Sequence, residues 1–185
     1  MPEADLARDA TPDGKELVLY RRDGVYSLRV DGLELMSSRA HASEEALTRL
    51  ACQGLESASS PRVLVGGLGF GYTLRATLDR LPDGANVVVA EVFASLLDWN
   101  RELLADLAGR PLEDRRVDAV HGDVWDLVDQ SAPFDAIILD VDNGPWALTV
   151  ESNARLYSGA GLARLAGGLK NPGRLAVWSA GAAPR

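Results

Sequence analysis

Two hydropathy periods divide the chain. Over Glu16–Arg22, Val25–Val30 and 33–36, apolar and polar residues alternate, and Asp23-Gly24 and Asp31-Gly32 separate the three runs. Asp-Gly favours a type I′ turn, because both central residues need positive φ, so this stretch predicts a three-stranded antiparallel meander. From Arg62 onward the alternation gives way to short, nearly continuous apolar runs at 63–65, 86–90, Val117–His121, Phe134–Leu139 and 174–179. Such runs mark strands buried on both faces. Between them, Leu74, Leu78 and Leu81, then Leu96, Trp99, Leu103 and Leu107, then Leu127 and Val128, and finally residues 152–167 supply helical segments. Trp99 is read as core. Strands alternating with helices predict a mostly parallel sheet covered on both faces. Ser43, with Glu44 and Glu45 after it, reads as a helix cap, and Leu47, Leu50 and Ala51 as that helix's apolar stripe. The expected organisation is a loose polar terminus over 1–14, a meander plus helix over 15–60, and an α/β domain over 61–185 whose sheet stops at its fifth strand, without further C-terminal strands.

The α/β domain is built around residues 62–72, R-V-L-V-G-G-L-G-F-G-Y. Gly66, Gly67, Gly69 and Gly71, with Leu68 and Phe70 among them, lie between a strand's C-terminal end and a helix N-terminus. There the backbone approaches a ligand closely and unpaired N–H groups point outward. The next strand ends in Glu91, followed by Val92, and 91 − 71 = 20 residues after the last glycine is the offset at which an acid reaches ribose hydroxyls. Asp123, followed by Val124, and Asp140 end two further strands. Asp123 is placed to accept from the exocyclic amine of adenine. In sheets of this kind ligands bind outside the C-terminal strand ends.

Composition narrows the partners. A chain of 185 residues that is 46% hydrophobic suits one compact domain, and its net charge of −8 disfavours nucleic acid and anionic membrane while favouring a cationic or neutral small acceptor. Cys52 is the lone cysteine and reads as core, and two histidines are too few for a metal cluster, so no metal is expected. No apolar run approaches the roughly 18 residues of a membrane span, and the first residues lack a signal sequence's apolar region. The cytoplasm is the expected compartment.

These motifs together resemble the spermidine-synthase-like group of class I S-adenosylmethionine-dependent transferases. The resemblance runs from about Leu17 to Ser179: meander, D-G-L-E-L-M-S-S-R, acidic helix start, glycine loop leading into T-L-R, Glu91, Gly122-Asp123, and D-x-D-N-G-P followed by Leu156-Tyr157-Ser158. It implies a Rossmann-like class I methyltransferase fold, a sulfonium nucleoside (S-adenosylmethionine or its decarboxylated form) as cofactor, and a homodimer. An uncovered sheet edge after the fifth strand points the same way.

The chain departs from the resemblance at Phe70, where spermidine synthases carry an aspartate that holds the amine of the decarboxylated cofactor. A carboxylate there repels the carboxylate of ordinary S-adenosylmethionine and Phe70 does not, so the ordinary cofactor is expected. The family's glutamine in the meander falls near Leu35. Its second catalytic-segment aspartate falls at Asn143, with Asp142 one position earlier. A sulfonium carries its own leaving group, so the protein's task is positioning, with Asp140 binding the acceptor's ammonium and taking its proton and Asp142 adding negative potential. Tyr157 is expected to pack. Three alternatives remain at this level: methyl transfer to a small amine-containing acceptor, aminopropyl transfer as in polyamine synthesis, and a non-catalytic nucleoside-binding scaffold. A nicotinamide cofactor is disfavoured, since Tyr72 occupies the third glycine of G-x-G-x-x-G.

Overall fold

The computed structural model describes residues 4–11, 14–130, 133–141 and 151–179. Two sheets form. An antiparallel meander runs β1 (Ala4–Ala10), β2 (Glu16–Arg22), β3 (Val25–Val30), β4 (Leu33–Ser37), and a parallel sheet contains β5 (Arg62–Gly66), β6 (Asn86–Glu91), β7 (Val117–His121), β8 (Phe134–Leu139) and β9 (Leu169–Val177). Its order is β7-β6-β5-β8-β9, with every neighbouring pair parallel. The chain therefore winds outward from β5 in one direction, then returns past it, and the switch point falls between β5 and β8.

Period-two alternation assigns the faces of the sheet. Val63 and Val65 point to one side, into a cluster with Leu47 and Ala51 of α1 (Ala42–Ala51), Leu74 and Leu78 of α2 (Tyr72–Arg80), and Leu97 of α3 (Ala94–Arg101). Leu64 points to the other, with Val124 and Val128 of α4 (Val124–Gln130) and Leu165 of α5 (Gly159–Gly167). Each such side chain, fully buried, contributes roughly 1.5–3 kcal/mol. A third cluster joins the layers: Leu17, Leu19, Leu28 and Val30 of the meander pack on Phe70, Phe93, Leu96 and Trp99. Cys52 and Trp99 lie in the core, as expected.

Several local expectations are corrected. Residues 4–10 are not loose but form a fourth meander strand, paired with β2 from Ala4↔Arg21 to Ala10↔Glu16. This edge strand buries little, resting on backbone pairing and on Arg8, which bridges Asp5 and Glu16. Both Asp-Gly turns form as predicted, with φ of 50° and 83° at Asp23-Gly24 and 47° and 79° at Asp31-Gly32. Ser43 does not cap α1: His41 is the N-cap residue without a side-chain bond, and the Ser43 hydroxyl donates to Glu44. Leu50 is 62% exposed, and Thr48 takes its place in the interior. Although grouped with the meander in sequence, α1 packs on α2 and the parallel sheet.

Helix α3 ends at Arg101 and does not continue through Leu107. Leu104 N–H reaches back five residues to Trp99 O at 2.7 Å, which shifts the phase so that Leu104 and Ala105 are buried while Leu103 is 44% exposed. The single helix expected over 152–167 is two elements, a 3₁₀ segment Glu151–Tyr157 and α5, divided at Ser158, whose hydroxyl accepts from Gly161 N–H. Strand β9 begins at Leu169, before the Asn171-Pro172-Gly173 turn, and absorbs that turn as a register shift opposite β8.

Candidate nucleoside site

The site begins with what the glycine loop must do sterically. Gly67, at φ +91°, lies so close to the end of β8 that an added Cβ would stand 2.1 Å from the Asp140 carbonyl oxygen. The loop thus turns directly beside β8, at the switch point, and then enters α2 through Gly71, its N-cap residue. A cavity of about 300 Å³ opens here. Gly67, Leu68, Gly69 and Phe70 from the loop, Glu91 and Val92 after β6, Asp123 and Val124 after β7, and Asp140 after β8 all line it. Two expected residues stand behind it: Gly66 packs on Val124 and Leu139, and Gly71 faces Asn100 and Pro111. Asp142 lies outside the described residues, as do Asn143, Gly144 and Pro145.

The carboxylates differ in character. Glu91 is 5% exposed, and its two oxygens accept Leu68 N–H and Phe93 N–H, each at 2.9 Å. Burial pushes its carboxyl above the usual range, against the pull of backbone N–H groups from Phe93, Leu68, Gly69 and Val92. Glu91 therefore braces the loop from inside the cavity. Asp140, at the end of β8 beside the glycine loop, is shifted too: burial raises its carboxyl to about 6, with the Thr73 hydrogen bond opposing and the negative charge of Glu44 adding to the rise. Asp123 lines the cavity with both oxygens engaged, Oδ1 accepting Trp125 N–H at 2.8 Å and Oδ2 the Arg155 guanidinium at 2.7 Å, so a ligand donor would share or replace one of these partners.

Apart from Leu35, which the resemblance places near the family's meander glutamine, sequence reasoning missed the roof and one hydroxyl. Leu35, Met36 and Ser37 of β4 and Ser43 and Glu44 of α1 close the cavity over the glycine loop, with Met36 Sδ and Cε 3.2 Å from where a Cβ on Gly69 would lie. Only tertiary docking brings these residues there, so no local pattern announces them. Thr73, which binds Asp140, follows Tyr72 at the helix start, where a hydroxyl facing a strand end is a readable signal. Phe70, read as a cofactor neighbour, is 3% exposed and is also part of the cluster that docks the meander. Tyr157 packs against the α4/α5 face, and its hydroxyl donates to Trp178 O at 3.3 Å.

The architecture has known counterparts. Spermidine synthase from Thermotoga maritima superimposes with a TM-score of 0.69 at 19% identity, covering 90% of this chain and 54% of that one. A spermidine synthase in complex with the transition-state analogue AdoDATO gives 0.68 at 18%, covering 90% and 53%. The fold is that of the spermidine synthases. In sequence, the chain is 37% identical over 119 residues to the release factor glutamine methyltransferase of Chlorobaculum tepidum, 62% of this chain and 39% of that protein. No family model matches. The chain spans about half the length of the structures it superimposes on, and less of that relative.

Proposed function

We propose that the protein is an S-adenosylmethionine-dependent transferase that moves a methyl group to a small, amine-containing acceptor. The observation that carries this reading is the convergence of Glu91, Asp123 and Asp140, from three successive strand ends, on one ligand-sized cavity beside the glycine loop. The loop's own hydrogen bonds favour a nucleoside without a diphosphate. Gly67 N–H is spent on Ala90 O, Leu68 N–H on Glu91 and Gly71 N–H on Leu68 O, which leaves few loop amides for phosphate oxygens. The glutamine methyltransferase likeness and the spermidine-synthase fold both accord with a sulfonium nucleoside.

In this reading Glu91 faces the ribose, Asp123 the adenine amine and Asp140 the acceptor. Bound S-adenosylmethionine would supply a methyl group on a sulfonium whose sulfur keeps the electron pair of the broken carbon–sulfur bond as the acceptor nitrogen bonds to the methyl carbon, and Asp140 would receive the proton that the nitrogen gives up. A carboxyl near 6 is ionised at neutral pH and still basic enough for that role.

Aminopropyl transfer from the decarboxylated cofactor is a second reading with its own support. Among the described residues the cavity lining carries Glu44, Glu91, Asp123 and Asp140 and neither lysine nor arginine; with Asp123 offset by Arg155 from outside the lining, the net field is still negative and favours the more cationic cofactor. Calorimetry with S-adenosylmethionine, its decarboxylated form and methylthioadenosine separates the two. Preference for the ordinary cofactor supports methyl transfer, preference for the decarboxylated one together with turnover of a diamine supports aminopropyl transfer, and binding of none of them overturns both. A homodimer belongs to the same proposal, resting on the exposed outer strand β9. A monomer by light scattering at tens of micromolar counts against it.

A further inference from the structure

Asn100 stands on α3 behind the glycine loop, and it is 2% exposed. A carboxamide buried to that degree needs partners for its hydrogens. Its Nδ2 donates to Leu96 O, one turn earlier in its own helix, at 2.8 Å, and to Gly69 O, on a different element, also at 2.8 Å. Its Oδ1 lies 3.2 Å from where a Cβ on Gly71 would be. Asn100 therefore bonds the loop at Gly69 and stands beside Gly71, outside the cavity lining.

The loop needs such support. Gly69 and Gly71 have φ of +51° and +85°, a region that glycine enters freely but leaves as freely, so nothing intrinsic to these residues selects one shape. Hydrogen bonds make the selection. Glu91 holds Leu68 N–H, Gly71 N–H holds Leu68 O, and Asn100 holds Gly69 O. Glu91 lines the cavity, whereas Asn100 does not.

We infer that Asn100 is a positioning residue for nucleoside binding: by tying the Gly69 carbonyl to α3 it holds the glycine loop in its receptive shape. The inference rests on the nucleoside reading of the cavity. Losing the bond charges the cost of ordering the loop to the ligand, which lowers affinity while every cavity-lining side chain is kept.

The test uses S-adenosylhomocysteine and methylthioadenosine as probes, titrated calorimetrically into the parent, Asn100→Leu and Asn100→Asp from about pH 5 to about pH 8, with circular dichroism and thermal unfolding on the same samples. Asn100→Leu keeps the size and loses the donor, and is expected to bind about tenfold more weakly at every pH. Asn100→Asp is expected to bind at least as weakly as Leu at high pH, where a buried carboxylate would face the Gly69 and Leu96 carbonyl oxygens, and to recover toward the parent as pH falls, because a protonated carboxyl regains one donor for Gly69 O. Taking each variant as a ratio to the parent cancels the titration of Glu91 and Asp140. A role in packing alone predicts that Asn100→Leu, of similar size, binds like the parent, so binding within about twofold of the parent by Asn100→Leu, or a flat Asp-to-parent ratio, overturns the inference. If the parent binds neither probe, the nucleoside reading fails first and takes this inference with it.

Discussion

Thr73 Oγ1 donates to Asp140 Oδ2 at 2.5 Å, joining the first turn of α2 to the end of β8 across the floor of the cavity. The bond opposes the rise that burial imposes on the carboxyl. If Asp140 takes the acceptor's proton, kcat/KM falls with a single protonation below about pH 6. Thr73→Val removes the opposing bond and is expected to move that acid limb to higher pH, leaving the plateau nearly intact. Asp140→Asn keeps the shape and the acceptor for Thr73, so nucleoside affinity by calorimetry should stay near the parent's while transfer to an amine is lost. An Asp140→Asn enzyme that still turns over at the parent's rate would sink the assignment.

The same carboxyl makes a stability prediction. Its folded value, about 6, lies above the ordinary value near 3.8 that it regains on unfolding, so between those values the folded state holds the extra proton. Stability from this group is therefore full below about pH 4 and is lost as pH rises through 6, by about 2–3 kcal/mol. Glu91 is shifted in the same direction. In denaturant unfolding across this range, Asp140→Asn should flatten part of the slope and gain stability at neutral pH. An unchanged slope would show that Asp140 is not the titrating group.

Phe70→Asp, the substitution that would place a spermidine-synthase-like acid in the loop, meets the packing of the meander first. At 3% exposure within the cluster of Leu17, Leu28 and Trp99, an aspartate loses the ring's packing and buries a charge. The expected loss exceeds about 3 kcal/mol of unfolding free energy, read by thermal or chemical denaturation. Preference for the decarboxylated cofactor is to be sought only in the fraction that folds.

Glu91→Ala and Gly69→Val probe the cradle by different routes. Glu91→Ala strands Leu68 and Phe93 N–H groups, costing about 1–3 kcal/mol for each left buried and unpaired, in addition to any ribose bonds. Both the melting temperature and nucleoside affinity should fall. Gly69→Val forces a β-branched residue to positive φ against Met36, so affinity should drop more than stability, since Met36 is flexible and the cavity is not. Unchanged affinity in both variants would remove the glycine loop from the site.

What the sequence discloses follows from how local each feature is. The parallel strands, the hairpin turns and the strand-end acids are legible, because apolar runs, Asp-Gly pairs and glycine spacing are written in neighbouring residues. Strand β1 is not, since A-D-L-A-R-D-A buries almost nothing and is held by backbone pairing. The end of α3 is missed because Leu103 and Leu107 keep helical spacing while the Leu104–Trp99 bond shifts the phase. Glu44 and Met36 reach the cavity, and Asn100 the glycine loop behind it, only after the meander and the helices dock, and Phe70 acquires its packing role in the same step.

Phe70 and Phe93 lie in one apolar cluster with Leu17, Leu19 and Leu28 while also lining the cavity. The meander cannot lift without unpacking two walls of the cavity, so in the proposed reading an opening that leaves the parallel sheet intact would already abolish nucleoside binding. Ligand occupancy then feeds back on backbone it never touches. Amide hydrogens of β2 and β3 should exchange more slowly in the presence of a bound nucleoside, to the extent that they exchange through this opening and not through global unfolding. The antiparallel layer is in this sense a reporter of occupancy, and its exchange rates give a measure of affinity that needs no knowledge of the acceptor.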